Sequence, residues 1–386
     1  MSEYQYYEFL AVDRPLTAQQ LDELRRLSTR ARITSTSFVN TYHWGNFRGD
    51  PRRLVANYFD AFLYLANWGT RQLMIRLPHG SLDLRTAQRY CDTESASAWA
   101  VGDRVIIDLT DQDEEGEWNW DDDGEGRLAS IIPARADLAG GDLRLLYLAW
   151  LLAAGRYEID DDEPEPPVPP GLGTLTAPLQ SLVEFLRIDT DLLAVAAETS
   201  APLSHSEPST AELHRWLRGL PTDEKDELLL RILRDGDVPV RAELRRRLRA
   251  AKPDGDPTGA AAGGRTAGQL RKAAGARWTE RQRQAHQRRA EESARQERAA
   301  AAARERRLTE LAAQPEQAWQ QVDTLIATKK PREYDSTVGL LTELAALGQR
   351  DGREEAFAER IRLLRQTHQR KPSLMDRFDR AGLPGG

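Results

Sequence analysis

The stretch Gly49–Leu77, GDPRRLVANYFDAFLYLANWGTRQLMIRL, decides the fold. Asp50 followed by Pro51 marks a helix start, with a carboxylate to cap the first free amides and a ring that presets φ in the first turn. Leu54, Tyr58, Phe62 and Leu65 recur at helical spacing, and Val55, Phe59 and Leu63 widen the apolar face. Gly69 is placed to end the helix, after which Arg71–Leu77 alternates like a strand. The stretch therefore predicts a buried helix packed on a sheet that Leu73, Ile75 and Leu77 help to build. It supplies the centre of a core and no chemistry.

Upstream, Tyr4–Val12 reads as a strand, Thr17 as the N-cap of a helix carrying Leu21, Leu24 and Leu27, and Arg32–Tyr42 as a second strand. Downstream, Leu82–Tyr90 predicts a short helix, and Ala98–Val101 with Arg104–Leu109 predicts two strands about a Gly102-Asp103 turn. An acidic loop follows at 111–126, then a strand at Leu128–Ile132 and an apolar helix at Asp142–Ala154 that Gly155 ends. Of the 27 aromatic residues, 19 lie before residue 151, so the ring-rich core belongs to this end. The expectation is an α+β domain over 1–157, a mixed sheet with packed helices.

The rest of the chain reads as helical. Residues 158–174, EIDDDEPEPPVPPGLGT, form an acidic proline-rich connector. A small helical domain is expected at 175–250 and a flexible linker at 252–268. Residues 269–313 are almost wholly Ala, Arg, Glu and Gln, strong helix formers without the apolar seam of a coiled coil, which predicts a long charged helix. Residues 315–386 predict a terminal array of helical hairpins, with breaks at Lys330-Pro331 and Asp351-Gly352.

The 386 residues, 40% hydrophobic and 30% charged, suit two or three domains. No apolar run reaches the ~18–20 residues of a membrane helix, and no basic, then apolar, leader opens the chain, so the expected setting is the cytoplasm with no membrane partner. Cys91 is the only cysteine, which excludes a disulfide framework and any multi-cysteine metal site. The net charge of −7 conceals an asymmetry: 23 acidic against 6 basic side chains over 101–200, and 9 acidic against 19 basic over 241–310. Such blocks attract each other, a partner of opposite sign, or a polyanion.

Four stretches, YEFLAVDRPLT (7–17), TSFVNTYHWGNFRGDPRRL (36–54), YFDAFLYLANWGT (58–70) and EPPVPPGLGTLTAPLQSLVEFLRID (165–189), resemble a family of uncharacterised bacterial proteins. The resemblance covers roughly the first half of the chain and implies no activity. The tail from Tyr334, including LLTELAALGQRDGREEAFAERIRLLRQTHQRKPSLMDRF (340–378), resembles the C-terminal helices of some bacterial proteins that bear a SWIM-type zinc finger. A chain with one cysteine lacks the CxC…CxH zinc ligands of that group, so the resemblance implies a docking surface and no metal.

Candidate chemistry is sparse. Asp111, Asp113, Glu115 and Gly116 follow the opening of a calcium loop, with Asp122 at the twelfth position where a bidentate Glu is expected; the alternatives are a solvated hairpin tip or a loop that meets a basic partner. Trp118 and Trp120 inside that loop form a possible contact patch. His43 beside Trp44 is the most catalytic-looking cluster, with packing as the plainer reading, and Cys91 would need His43 or His79 as a base. Arg52 and Arg53 at a helix start face either an anion or solvent. Arg281, Arg288 and Arg295 repeat every seven residues and share one helix face near Trp278, which suits a solvated spacer, a nucleic acid, or an acidic protein surface. There is no Walker loop, GxSxG or HExxH motif. The reading is a non-enzymatic interaction or adaptor protein with a protein partner and no cofactor, in which a helix of ~40 residues, ~60 Å long, spaces two docking heads. The alternatives are a nucleic-acid accessory protein that uses the arginine-rich helix, and an enzyme of unknown type in the N-terminal domain.

Overall fold

The computed structural model describes residues 3–78, 80–112, 123–203, 210–235, 244, 247–248 and 264–384. Contacts divide the chain into two units, Met1–Glu280 and Arg281–Gly386.

The first unit opens with β1 (Gln5–Leu10), α1 (Ala18–Leu27), β2 (Arg32–Ile33), β3 (Ser37–Tyr42) and α2 (Pro51–Asn57). It continues through β4 (Ala61–Ala66), β5 (Thr70–Arg76), α3 (Leu84–Gln88), β6 (Ala96–Val101) and β7 (Arg104–Gln112). Helices α4 (Arg127–Ile131), α5 (Pro133–Ala139), α6 (Arg144–Gly155), α7 (Ala177–Phe185) and α8 (Thr190–Ala197) follow, then α9 (Thr210–Gly219) and α10 (Thr222–Asp235). Among the described residues, seven strands form one sheet in the order β2-β3-β1-β4-β5-β7-β6. The class is α+β, and every neighbouring pair of strands is antiparallel where a mixed sheet was expected. The short links explain the direction: β4 and β5 are joined by Asn67–Gly69, and β6 and β7 by Gly102-Asp103, and links of that length only return the chain antiparallel.

The 49–77 stretch differs from its reading. Asp50 does cap α2, accepting from the Arg52 and Arg53 amides at 2.9 and 3.3 Å, but the helix ends at Asn57 and the rest of the expected helix is the central strand β4. A strand buried on both faces is a continuous apolar run, and such a run satisfies helical and strand spacing equally. Side chains then separate by parity. Ala61, Leu63 and Leu65 join Leu73, Ile75, Ile107 and Leu109 on one face, under α4–α8. Phe62 joins Phe9, Phe38, Met74 and Ile106 on the other, under Leu24 of α1 and Leu54 and Val55 of α2. Rings stack there, with Phe9 and Phe62 centroids 4.4 Å apart.

Two other elements differ. Leu128–Ile132, expected as a strand, lies in α4: Gly126 turns the chain at φ +77, and Leu128 and Ile131, three apart, are buried on one helical face. The single strand expected at Arg32–Tyr42 is two, paired with each other, because a Thr34-to-Ser37 turn folds it back. Thr17 caps α1 as expected, its hydroxyl accepting from the Gln20 amide, and the Gln20 side chain accepts from the Thr17 amide to complete a capping box.

A long helix, α11 (Ala267–Ala313), runs through the unit boundary, and none of residues 275–307, all described, is buried. In the second unit, the last turns of α11 contribute Leu308 and Leu311 to a core with α12 (Pro315–Ala327), α13 (Pro331–Arg350), α14 (Glu354–His368) and α15 (Pro372–Arg380). Trp319, Val322, Leu341, Ile361 and Phe378 form its centre. No single helix among the described residues is long and apolar enough to cross a membrane.

One buried charge cluster locks the sheet. Asp60 accepts from the amides of Val12 and Asp13 at 2.7 and 2.9 Å and from Arg76 Nη2 at 2.7 Å. Arg135 reaches Asp13 at 2.7 Å and Asp60 at 3.7 Å, and donates Nε to the Arg76 carbonyl. Burial alone would raise the Asp60 carboxyl, but the Arg135 and Arg76 guanidiniums outweigh it and hold it below the usual range. Asp60→Ala, which strands two buried guanidiniums, is expected to cost about 3–5 kcal/mol in a urea melt. Because the folded value lies below the unfolded one of about 3.9, the Asp60 contribution is complete at neutral pH and is lost as pH falls through the folded value. Melts from pH 7 to 3 should therefore show a smaller acid loss in the variant than in the parent.

Candidate functional site

Helix α6 stops in a paired-amide cap: Glu158 N–H donates to the Ala153 carbonyl at 3.1 Å, and Tyr157 N–H to that of Ala154 at 3.2 Å. The second of these donors takes a left-handed conformation, φ +60, where glycine is usual. Here it is Tyr157, a residue 78% exposed. Holding a bulky residue there costs about 1–2 kcal/mol, which no burial of the ring offsets. Arg187 takes the same conformation after α7, but its side chain is used by the fold, bridging Asp111 and the Gly69 carbonyl. Lys329, after α12, is the third non-glycine residue with positive φ among those described.

The partner wall comes from α11. Its approach is zipped to the proline-rich connector: Glu165 N–H donates to the Arg265 carbonyl and Ala267 N–H to that of Glu163, each at 3.0 Å. Arg265 grips the buried Glu165 carboxylate with two bonds of 2.8 and 2.9 Å. The Tyr147 hydroxyl donates to the same carboxylate, and burial, with that negative charge, pushes its pKa up. Gly268 is required for this approach, since a Cβ there would lie 2.8 Å from the Asp161 side chain. Leu270 and Ala274 enter the core, and Arg271 donates to the carbonyls of Ala154 and Ile159 at 3.0 and 2.9 Å while pairing with Asp161.

The result is a cleft of about 160 Å³ within the first unit, lined by Tyr157, Trp278 and Arg271 with Gly155, Leu192, Ala274 and Gly275. Trp278 is 52% exposed. Gly275 interrupts a helix of strong formers at a cost of about 1 kcal/mol relative to Ala, yet a Cβ there meets nothing within 4 Å. No close contact in the fold calls for a glycine here, and its Cα faces the cleft. Asp189 also lines the cleft, accepting from the amides of Asp191 and Leu192 at the start of α8, and no cation pairs with it among the described residues. Arg271 lies over the Tyr157 ring at 5.0 Å, its charge met by Asp161, and Arg277 is 3.6 Å from Asp191. A run of exposed carboxylates, Glu158 and Asp160 to Glu163, follows Tyr157 directly. A second hollow, about 470 Å³, is lined by Ala211, His214, Arg215 and Arg218, all on α9.

Of the residues singled out from the sequence, Trp278 stands in the cleft, and Arg281, Arg288 and Arg295 lie along the exposed part of α11. Asp111 is buried at the end of β7, paired with Arg156 and Arg187, so two guanidiniums meet the charge that the loop reading offered to calcium. Asp113, Glu115, Asp122, Trp118, Trp120 and His79 lie outside the described residues. Among those described, no group of three His, Cys, Asp or Glu side chains could hold a metal ion. His43 packs on Tyr4 with ring centroids 5.7 Å apart, and Trp44 lies under Arg30. Arg52 lies over the Trp99 ring at 4.1 Å and 3.3 Å from Asp108. Sequence reasoning passed over Tyr157, Asp189 and Gly275. The available signals were a tyrosine where a helix-ending glycine belongs, two residues after Gly155, and a glycine inside an otherwise uninterrupted helix former run.

The chain matches no family model, no curated protein and no solved structure.

Cys91 is buried in the sheet core, and burial pushes its thiol pKa up, which keeps it protonated and unreactive. Thiol titration should release nothing from the native protein and one equivalent in guanidinium; rapid reaction of the native protein would place Cys91 at an accessible site.

Proposed function

We propose that this chain is a non-enzymatic adaptor that docks a partner protein in the Tyr157–Trp278 cleft. The observation that carries the reading is the exposed aromatic pair itself, one residue on a left-handed backbone and the other one helical turn from a glycine that lines the same cleft. Exposed aromatic anchors at a small cleft are the usual energetic centre of a protein interface. The buried charges, by contrast, are committed to the fold in pairs: Asp60 to Arg76, Asp111 to Arg187, Arg144 to Asp142 and Glu165 to Arg265. A cavity of about 160 Å³ falls below the ~300–1,000 Å³ of small-molecule sites and suits one inserted side chain. The single buried thiol suits a reducing compartment such as the cytoplasm.

A second reading, nucleic-acid binding, draws on Arg281, Arg288 and Arg295, exposed along α11. Glu291, Glu292 and Glu297 interleave with them and weaken a phosphate track.

The test is cross-linked capture from source-cell extract with the full chain, the Tyr157→Ala/Trp278→Ala variant and a Trp44→Ala control. Docking through the cleft predicts a protein retained by the parent and the control and lost, by tenfold or more, from the double variant. An unchanged capture profile, or a salt-sensitive nucleic acid captured in its place, contradicts the reading.

A further inference from the structure

We infer that the side chain seated in the cleft is an arginine or lysine, carried by a basic segment of the partner protein; the inference rests on the docking reading above. Three observations point to a cation. First, two exposed aromatic residues line the cleft, and the ring surface of Trp278, with that of Tyr157 left by Arg271, attracts a positive charge placed over it. The first unit already shows this contact in its own fold, with Arg271 over Tyr157 at 5.0 Å.

Second, the unbalanced charge in the lining is negative. The Arg271 side chain is only 10% exposed and is spent on Asp161 and two carbonyls; Arg277 faces Asp191. That leaves the exposed Asp189 carboxylate, which has no cation paired with it among the described residues. A guanidinium or ammonium entering the cleft would satisfy it. Third, the chain next to Tyr157 has the same sign. Exposed Glu158, Asp160, Asp162 and Glu163 follow it in sequence, beside the Asp161 that meets Arg271, so a segment with further basic residues gains there. The cleft volume of about 160 Å³ admits the methylenes and head group of one long side chain lying along Leu192 and Ala274.

The experiment probes the full chain, and its Trp278→Ala variant, against an immobilised library of random heptapeptides that also includes the sequence of residues 241–249 of this chain. The expected result is that peptides needing Trp278 carry Arg or Lys, and that replacing that residue by Gln removes binding. The best such peptide should bind Asp189→Asn about tenfold more weakly. Asparagine caps a helix as well as aspartate does, so that variant keeps the α8 cap. A salt titration of the parent, which should weaken binding severalfold between about 50 and 300 mM, gives the same discrimination without mutation. Trp278-dependent peptides that are apolar and uncharged overturn the cation and leave the docking reading standing. Absence of any Trp278-dependent peptide overturns both. A preference for the 241–249 peptide over every library member overturns the foreign partner, because the chain would then supply its own occupant.

Discussion

Arg265 grips Glu165 across a sequence separation of 100 residues, and the cleft depends on that grip. The pair is bidentate, the carboxylate is fully buried, and Tyr147 from α6 donates a third bond to it. Removing either partner would leave a charge in a low-dielectric site, so the contact has two states, made or broken, with little between. Around it lie the amide bonds of residues 163–165 with 265–267, the close approach at Gly268 and the Arg271 bonds to the end of α6. Together they set the first turns of α11 on α6 and α8. Without them Tyr157 and Trp278 are two unrelated exposed rings; with them they are the walls of one cleft.

The sheet beneath is the rigid part. Strand β4 is buried on both faces, and its neighbours β1 and β5 supply every backbone partner it needs. Asp60, at the head of β4, ties the loop after β1 to Arg76 at the end of β5 and, through Arg135, to α5. The helices carried on that sheet are held in place by apolar contact. The cleft, at its periphery, is held by a few polar bonds, and it is where the chain accepts a left-handed tyrosine and a glycine within a helix. Strain retained at an exposed aromatic site is a reasonable mark of use.

The sequence disclosed the elements whose signals are local. Thr17 capped α1, Asp50-Pro51 opened α2, Gly102-Asp103 turned β6 into β7, and the Ala–Arg–Glu–Gln run is one helix. It misled where the deciding information is non-local. Ala61–Ala66 is a strand because β1 and β5 lie on either side of it, which no spacing within the stretch reveals. Leu128 and Ile131 looked like a strand because the run is short, although their separation was already helical. For the site, Trp278 was visible as an aromatic in a polar helix. Its partners were not, since Tyr157 and Asp189 meet it only after the connector has brought α11 back over α6.

The central claim is that the beginning of α11 is locked into the first unit's core while its middle is solvated helix, and residue-resolved amide hydrogen exchange tests it most directly. Amides of residues 270–278 should be protected to within about tenfold of the β4 and β5 amides, and those of 285–300 should exchange faster by several orders of magnitude. Equal, rapid exchange along the whole of α11 would mean that the grip of Arg265 on Glu165 does not hold the helix down, and the cleft would not exist as a preformed site.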